Sequence, residues 1–335
     1  MDILNPMKRI TNIVFCIMLA ACTAEATSIS PTQPLPSPTP APSQAEITSF
    51  SEASPQDPVP VPRPSRTPRP TAIPLPTSGP TLTPDPNITP IDLDVWKELP
   101  VLPTVDPSIS AIYEYGQKLG NDPHAFSIFG DCQTRPNDFF GVFETDPFVI
   151  ESLSPELLET VDNFQGSFSR ESSTSQDGTT PGSLLWTQWH RGEFGCSFAE
   201  TPVECELRVH RPSFVIIQVG THFESRNTEY LREVILQLMD EGAVPILATK
   251  ADNREKDERI NRDMWLLASE YDLPLWNFWA AVSDLPNRGL YTRDDRPLQG
   301  DIYLTEEAAL RHRMTGLEAL NVVWRVAAQS GGQSP

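Results

Sequence analysis

The chain has 335 residues, 35 of them proline, with 25 basic against 45 acidic side chains and a formal net charge of -20. So acidic a protein repels phosphate backbones, which excludes nucleic acid as a partner, because that binding draws on Lys and Arg neutralising phosphates. Positions 31–107 hold 22 of the prolines, whereas 109–335 carries 19 basic and 35 acidic side chains and has the length of one sizeable domain.

Taken in chain order, the first feature is Lys8-Arg9 followed by an apolar run, Ile10 to Ala21, that is too short to span a bilayer comfortably and ends in Leu19-Ala20-Ala21-Cys22. This pattern is a secretory signal and resembles the bacterial lipobox, which implies cleavage before Cys22 and acylation of its thiol; the other reading is a plain cleavable signal. Two acyl chains anchor stably where one does not, so an extracytoplasmic, membrane-anchored lipoprotein is expected, with the membrane as a partner through lipid alone. Residues 1–22 are then the signal peptide and 23–108 a Pro/Ser/Thr-rich stalk. Such sequence cannot bury enough apolar surface to offset its ordering entropy. Arg63, Arg66 and Arg69, spaced by Pro, Ser and Thr, read as solubilising parts of that stalk.

From 109 to 330 the pattern predicts a globular domain. Ala125 to Phe129 and Ser213 to Val219 are apolar runs that break at Gly130-Asp131 and Gly220-Thr221, as buried strands do. A second strand is expected near Phe168. Leu231, Val234, Ile235 and Leu238 recur at helical spacing behind Asn227, a candidate N-cap, with Gly242 as the stop. Val244 to Thr249 predicts the next strand, Ile260 to Tyr271 a helix, and Pro274 to Val282 a fifth apolar run. A last helix should follow Thr305 with Leu310, Met314, Leu317 and Trp324 on one face. Alternating strands and helices with near-continuous apolar strands predict an α/β domain, three layers α/β/α around a mostly parallel five-stranded sheet. Ligands of such sheets bind at the carboxyl ends of the strands.

The loops at those ends read Gly130-Asp131-Cys132-Gln133, Gly220-Thr221-His222 and Gly300-Asp301-Ile302-Tyr303-Leu304-Thr305. Over about 125–328 the chain resembles the SGNH/GDSL hydrolases, esterases and acetyl hydrolases of flavodoxin-like fold. In that family a Gly-Asp-Ser supplies the nucleophile, a Gly and a Gly-x-Asn the oxyanion donors, and Asp-x-x-His the base. Thr249-Lys-Ala-Asp-Asn253 and Pro274-Leu-Trp-Asn-Phe-Trp279 are similar to its later strand regions. The resemblance puts Cys132 at the nucleophile position, His222 at the oxyanion Asn, and Gly300 and Tyr303 at the Asp and His positions. Gly130, Asp131 and, in the loop after the expected second strand, Gly178 match as they stand.

An unactivated thiol is only slightly ionised near neutrality, and acyl transfer also needs a base and oxyanion donors. His312 lies about two turns into the last helix, on the order of 10 Å from where the family's base sits. His222 could pair with Cys132 or serve only as a hydrogen-bonding surface residue. Cys196 and Cys205, flanked by His190 and His210, offer zinc ligation or a disulfide across a short loop. In an exported chain the disulfide is expected, with neither metal nor cofactor. Trp276 and Trp279 lie in an apolar run and read as core. Trp186 and Trp189, in a polar loop, could instead face a crevice and stack on sugar rings. The expected function is a catalytically degenerate SGNH-like protein that binds a surface glycan or a small acylated ligand. The alternatives are an active esterase or deacetylase using Cys132, and a purely structural surface lipoprotein.

Overall fold

The computed structural model describes residues 92–220 and 228–330. The chain divides into two units, Met1–Thr81 and Leu82–Pro335, and every described residue belongs to the second. The N-cap expected at Asn227 and the site residue His222 lie outside the described residues, as do the signal segment and most of the stalk.

The sheet has four parallel strands in sequential order: β1 (Asp122–Gly130), β2 (Pro212–Gln218), β3 (Val244–Ala248) and β4 (Leu275–Trp276). Along β2, Phe214 and Ile216 enter one hydrophobic core while Val215 and Ile217 enter another on the opposite face. Successive side chains of a strand point to opposite faces, so a strand buried on both sides has no polar face to show, and its sequence is an unbroken apolar run.

Helices α1 (Ile109–Leu119), α2 (Val142–Thr145), α3 (Pro147–Glu151) and α4 (Pro155–Asn163) lie before β2, as do α5 (Pro181–Leu184) and α6 (Pro202–Val209). After it come α7 (Thr228–Asp240), α8 (Arg259–Glu270), α9 (Phe278–Ala281) and α10 (Glu306–Ser330). Leu231, Val234, Ile235 and Leu238 of α7, with Met264 and Leu267 of α8, build one core; Leu157 and Val161 of α4, with Leu317, Leu320 and Val323 of α10, contribute to the other. The expected three layers are therefore present. Ser154, Thr180 and Thr201 cap α4, α5 and α6 by accepting backbone N–H bonds, each followed by a proline in the first turn, where a missing N–H costs nothing. Among the described residues no helix is long and apolar enough to cross a membrane.

Three expectations are corrected. The sheet has four strands, not five: beyond β1 the chain makes a single parallel bridge, Gly130 to Ser175, with Gly130 N–H donating to Thr174 O at 2.9 Å. Phe168 lies in no strand but packs its ring against Phe126 at 4.9 Å, so the apolar residues there feed an aromatic cluster.

The folded body also begins before 109. Trp96, in a 3₁₀ turn (Val95–Glu98), is fully buried, edge-on to Trp279 at 5.2 Å. Asn277 Nδ2 donates to Trp96 O at 2.8 Å and to Leu99 O at 3.1 Å, and its backbone N–H donates to Val101 O at 2.9 Å. The segment thus covers the open edge at β4, where unpaired backbone would otherwise be left.

The buried face of α10 runs through Ala308, His312, Leu317, Leu320 and Val323, while Leu310 is 52% exposed. The α10 face is set by what packs against it, not by its most apolar residues.

Candidate functional site

The ends of β1 and β2 meet as the topology requires. Asp131, buried just past β1, accepts the Gly220 N–H on Oδ2 at 3.2 Å and the Gln133 N–H on Oδ1 at 3.4 Å. Gly130 cannot carry a side chain, because a Cβ would overlap the Thr134 hydroxyl and come within 2.9 Å of Gln218 O. Gly220 has φ +125°, a backbone state that L side chains rarely adopt, and a Cβ there would meet Ile260 Cγ2 at 2.5 Å.

Cys132 and Tyr303, far apart in sequence, line one cleft of about 310 Å³ with Asp138, Tyr291, Arg296 and Arg313. Tyr303 is brought there by pairing of the segments before α10. Leu290 and Leu304 form an antiparallel bridge, Tyr291 N–H donates to Tyr303 O at 3.0 Å, and Thr305 N–H donates to Gly289 O at 2.7 Å. Gln133 Nε2 donates to Ile302 O and ties this segment to the Cys132 loop.

The electrostatics oppose a thiolate. Burial pushes the Cys132 thiol up, and the carboxylates of Asp131, Asp177, Asp252 and Asp138 push it further in the same direction. Desolvation and like charge both disfavour the ionised form, so the sulfur is held as a neutral thiol. Among the described residues Cys132 makes no disulfide and no side-chain hydrogen bond that could take its proton. Burial raises the Tyr303 phenol as well, and the charge of Asp177 acts in the same direction. That phenol is a neutral hydrogen-bonding group, not a base.

The other described positions implied by the resemblance are Gly300, Gly220 and Gly178. Gly300 is buried, and a Cβ there would overlap the backbone of Thr292 and Arg293, so the position has no room for a carboxylate side chain. The Gly220 N–H is already engaged by Asp131. Gly178 lies in a loop with φ +86° and does not line the cleft. His312 is fully buried, its ring 4.2 Å from Phe139 and 4.4 Å from Phe278, and its Nε2 pairs with Gln218 Oε1 at 2.6 Å. It belongs to the core and does not reach the cleft.

Cys196 and Cys205 form the expected disulfide, with Cα atoms 5.2 Å apart. Both flanking histidines are used locally: His210 Nε2 donates to Phe126 O at 3.0 Å, and His190 accepts the Gly192 N–H at 2.9 Å while its Nε2 donates to Glu200 O at 2.9 Å. Trp276 is fully buried and Trp279 half-buried against Trp96, so both are core. Trp186 is 53% exposed, whereas Trp189 lines a hollow.

No family model matches the chain, and no curated protein matches it in sequence. Among solved structures, its fold is similar to that of a "putative lipolytic protein of G-D-S-L family" from Desulfitobacterium hafniense DCB-2. That likeness has 16% identity and a TM-score of 0.36, and covers 60% of this chain and 99% of that one. The three-layer α/β assignment rests on the strand order and the two cores described above, and the chemistry of the cleft on its own residues.

Cleft residues that carry no family-motif signal in the sequence include Asp138, Tyr291, Arg296, Glu306 and Arg313. Arg296 stacks its guanidinium on Tyr291 at 3.8 Å, and Arg313 donates to Asp138 O at 3.2 Å while its Nε is buried with no acceptor among the described residues. The available hint was position. Tyr291 and Arg296 precede the Tyr303 segment within a dozen residues, and Arg313 lies one turn beyond Ala309 on the face of α10 that lines the cleft.

Proposed function

We propose that this is a lipid-anchored, extracytoplasmic SGNH-like domain whose hydrolase apparatus has decayed and whose cleft binds a neutral saccharide of the cell surface. The observation that carries the reading is the burial of Cys132 at the nucleophile position, where desolvation and the carboxylates of Asp131, Asp177, Asp252 and Asp138 disfavour its ionisation. A nucleophile needs the opposite surroundings, a cationic neighbour or a general base. The cleft around that thiol is still well equipped for binding. Two tyrosines, two arginines and two carboxylates, Asp138 and Glu306, offer donors, acceptors and flat apolar faces together, the mixture that orients a polyol ring. Anchoring follows from the lipobox at Cys22 and would hold the domain at the membrane through acyl chains.

Calorimetric titration with glucose and N-acetylglucosamine tests the binding. Millimolar affinity is expected for at least one of them, lost in Tyr303→Ala and retained in Cys132→Ala. Absence of any saccharide binding would overturn the reading. For the anchor, a fatty-acid probe should label the natural protein and not Cys22→Ser; persistent labelling of that variant would remove the lipid from the proposal.

A further inference from the structure

A second hollow, of about 150 Å³, is lined by Ser173, Gln176, Asp177, Trp189, Arg191 and Phe194. Its 173–177 wall is tied to the loop that carries Cys132: Ser175 bridges Gly130, Ser175 Oγ donates to Thr134 O at 3.1 Å, and Asp177 pairs with Arg135 at 3.2 Å. We propose that the hollow is a second saccharide subsite, so that the protein reads a chain of linked sugar rings and not a single ring. This rests on the glycan reading of the cleft and extends it.

The chemistry of the lining fits one ring. Trp189 supplies a flat aromatic face, which attracts the slightly positive C–H face of a pyranose. Gln176, Asp177 and Arg191 supply an amide, a carboxylate and a guanidinium at its rim, enough to pair hydroxyls that both donate and accept.

The hollow is also built rather than incidental. Its wall, the loop from His190 to Cys196, holds Arg191 and Phe194 in the left-handed region, with φ +53° and +57°. Such backbone persists only where the surroundings over-determine it, and several contacts do so here. The Cys196–Cys205 disulfide fastens the loop to α6, Arg208 Nη2 donates to Gly195 O at 2.8 Å, and His190 bridges Gly192 to Glu200 at 2.9 Å on each side. Holding the wall in place before the ligand arrives lowers the ordering cost of binding.

The test compares ligand length on the full chain, with glucose, N-acetylglucosamine, cellotetraose and chitotetraose as probes in calorimetric titration. The tetramer of whichever sugar binds should bind about tenfold more tightly than its monomer, the gain expected from one added aromatic stacking contact with its hydrogen bonds. In Trp189→Ala that gain should vanish while monomer binding stays as in the natural protein; Trp186→Ala, which alters an exposed tryptophan outside the hollow, should keep both. Monomer binding without a length gain, or a gain that survives Trp189→Ala, overturns the subsite and leaves the cleft reading standing. No binding by any of the four sugars overturns both. Far-ultraviolet circular dichroism of Trp189→Ala separates loss of the subsite from loss of the fold, and unchanged monomer affinity in the same variant gives a second check.

Discussion

Protonating His312 should destabilise the protein by an amount that can be worked from its surroundings. The ring is fully buried among Phe139, Trp276 and Phe278. Gln218 uses its Nε2 to donate to Thr249 O at 2.9 Å, so its Oε1 faces His312 as an acceptor and the imidazole carries its proton on Nε2. The other nitrogen, Nδ1, has no partner among the described residues. A second proton there would place an unpaired cation in the core. Burial, and then the neighbouring charge of Arg313, hold His312 down to about 3.

In the unfolded chain a histidine titrates near 6.5, so between the two values the unfolded state binds more protons and stability falls as the pH falls. The contribution is complete above about pH 6.5 and lost progressively toward pH 3; at pH 5 it has already dropped by about 2 kcal/mol. Urea denaturation followed by tryptophan fluorescence at pH 7.5 and pH 5, on the natural protein and on His312→Gln, isolates this term from other titrating groups. Glutamine can still donate to Gln218 but cannot take up a proton. The natural protein should lose about 2 kcal/mol more than the variant over that interval. Equal losses would show that His312 titrates as an ordinary exposed histidine, which would refute the buried, unpaired ring.

Other outcomes follow from the same packing. Cys132 should resist iodoacetamide in the native protein at pH 8 and alkylate readily in urea; rapid native labelling would contradict a buried, protonated thiol. Trp96→Ala removes a fully buried indole at the sheet edge and should cost about 3–5 kcal/mol, lowering Tm by roughly 10 °C. An unchanged Tm would return residues 92–108 to the stalk. Gly300→Asp, the substitution that would restore a carboxylate at the family position, should lower Tm and restore no hydrolysis, because its Cβ overlaps the Thr292–Arg293 backbone. A gain in activity would mean that the loop has room for a side chain after all.

The legible parts of the sequence were those in which one physical demand dominates. β2 and β3 are buried on both faces, so their apolar runs could hardly serve another purpose. The meeting of the Cys132 and Tyr303 segments followed from strand topology, since both lie on the side where strands end. The failures occurred where two demands shared a residue. Phe168 is apolar for the aromatic cluster and not for a strand. Trp96 was hidden by the proline-rich composition around it, although a tryptophan flanked by Val95 and Leu99 is a poor constituent of a solvated stalk. On α10, Gly316 faces inward where Phe139, Phe140 and Trp276 already fill the space, and the buried Ala308 packs against Gly289, leaving Leu310 outside. Tyr291, Arg296 and Arg313 reach the cleft through loop closure and helix phase, and neither is written in a local motif.

The most direct measurement is hydrolysis of p-nitrophenyl acetate by the natural protein beside Cys132→Ala, from pH 6 to pH 9. With the thiol held neutral by burial and by Asp131, Asp177, Asp252 and Asp138, the two proteins should release nitrophenol at the same near-background rate throughout. A rate well above background in the natural protein that disappears in Cys132→Ala would contradict the proposed loss of catalysis and establish Cys132 as a working nucleophile.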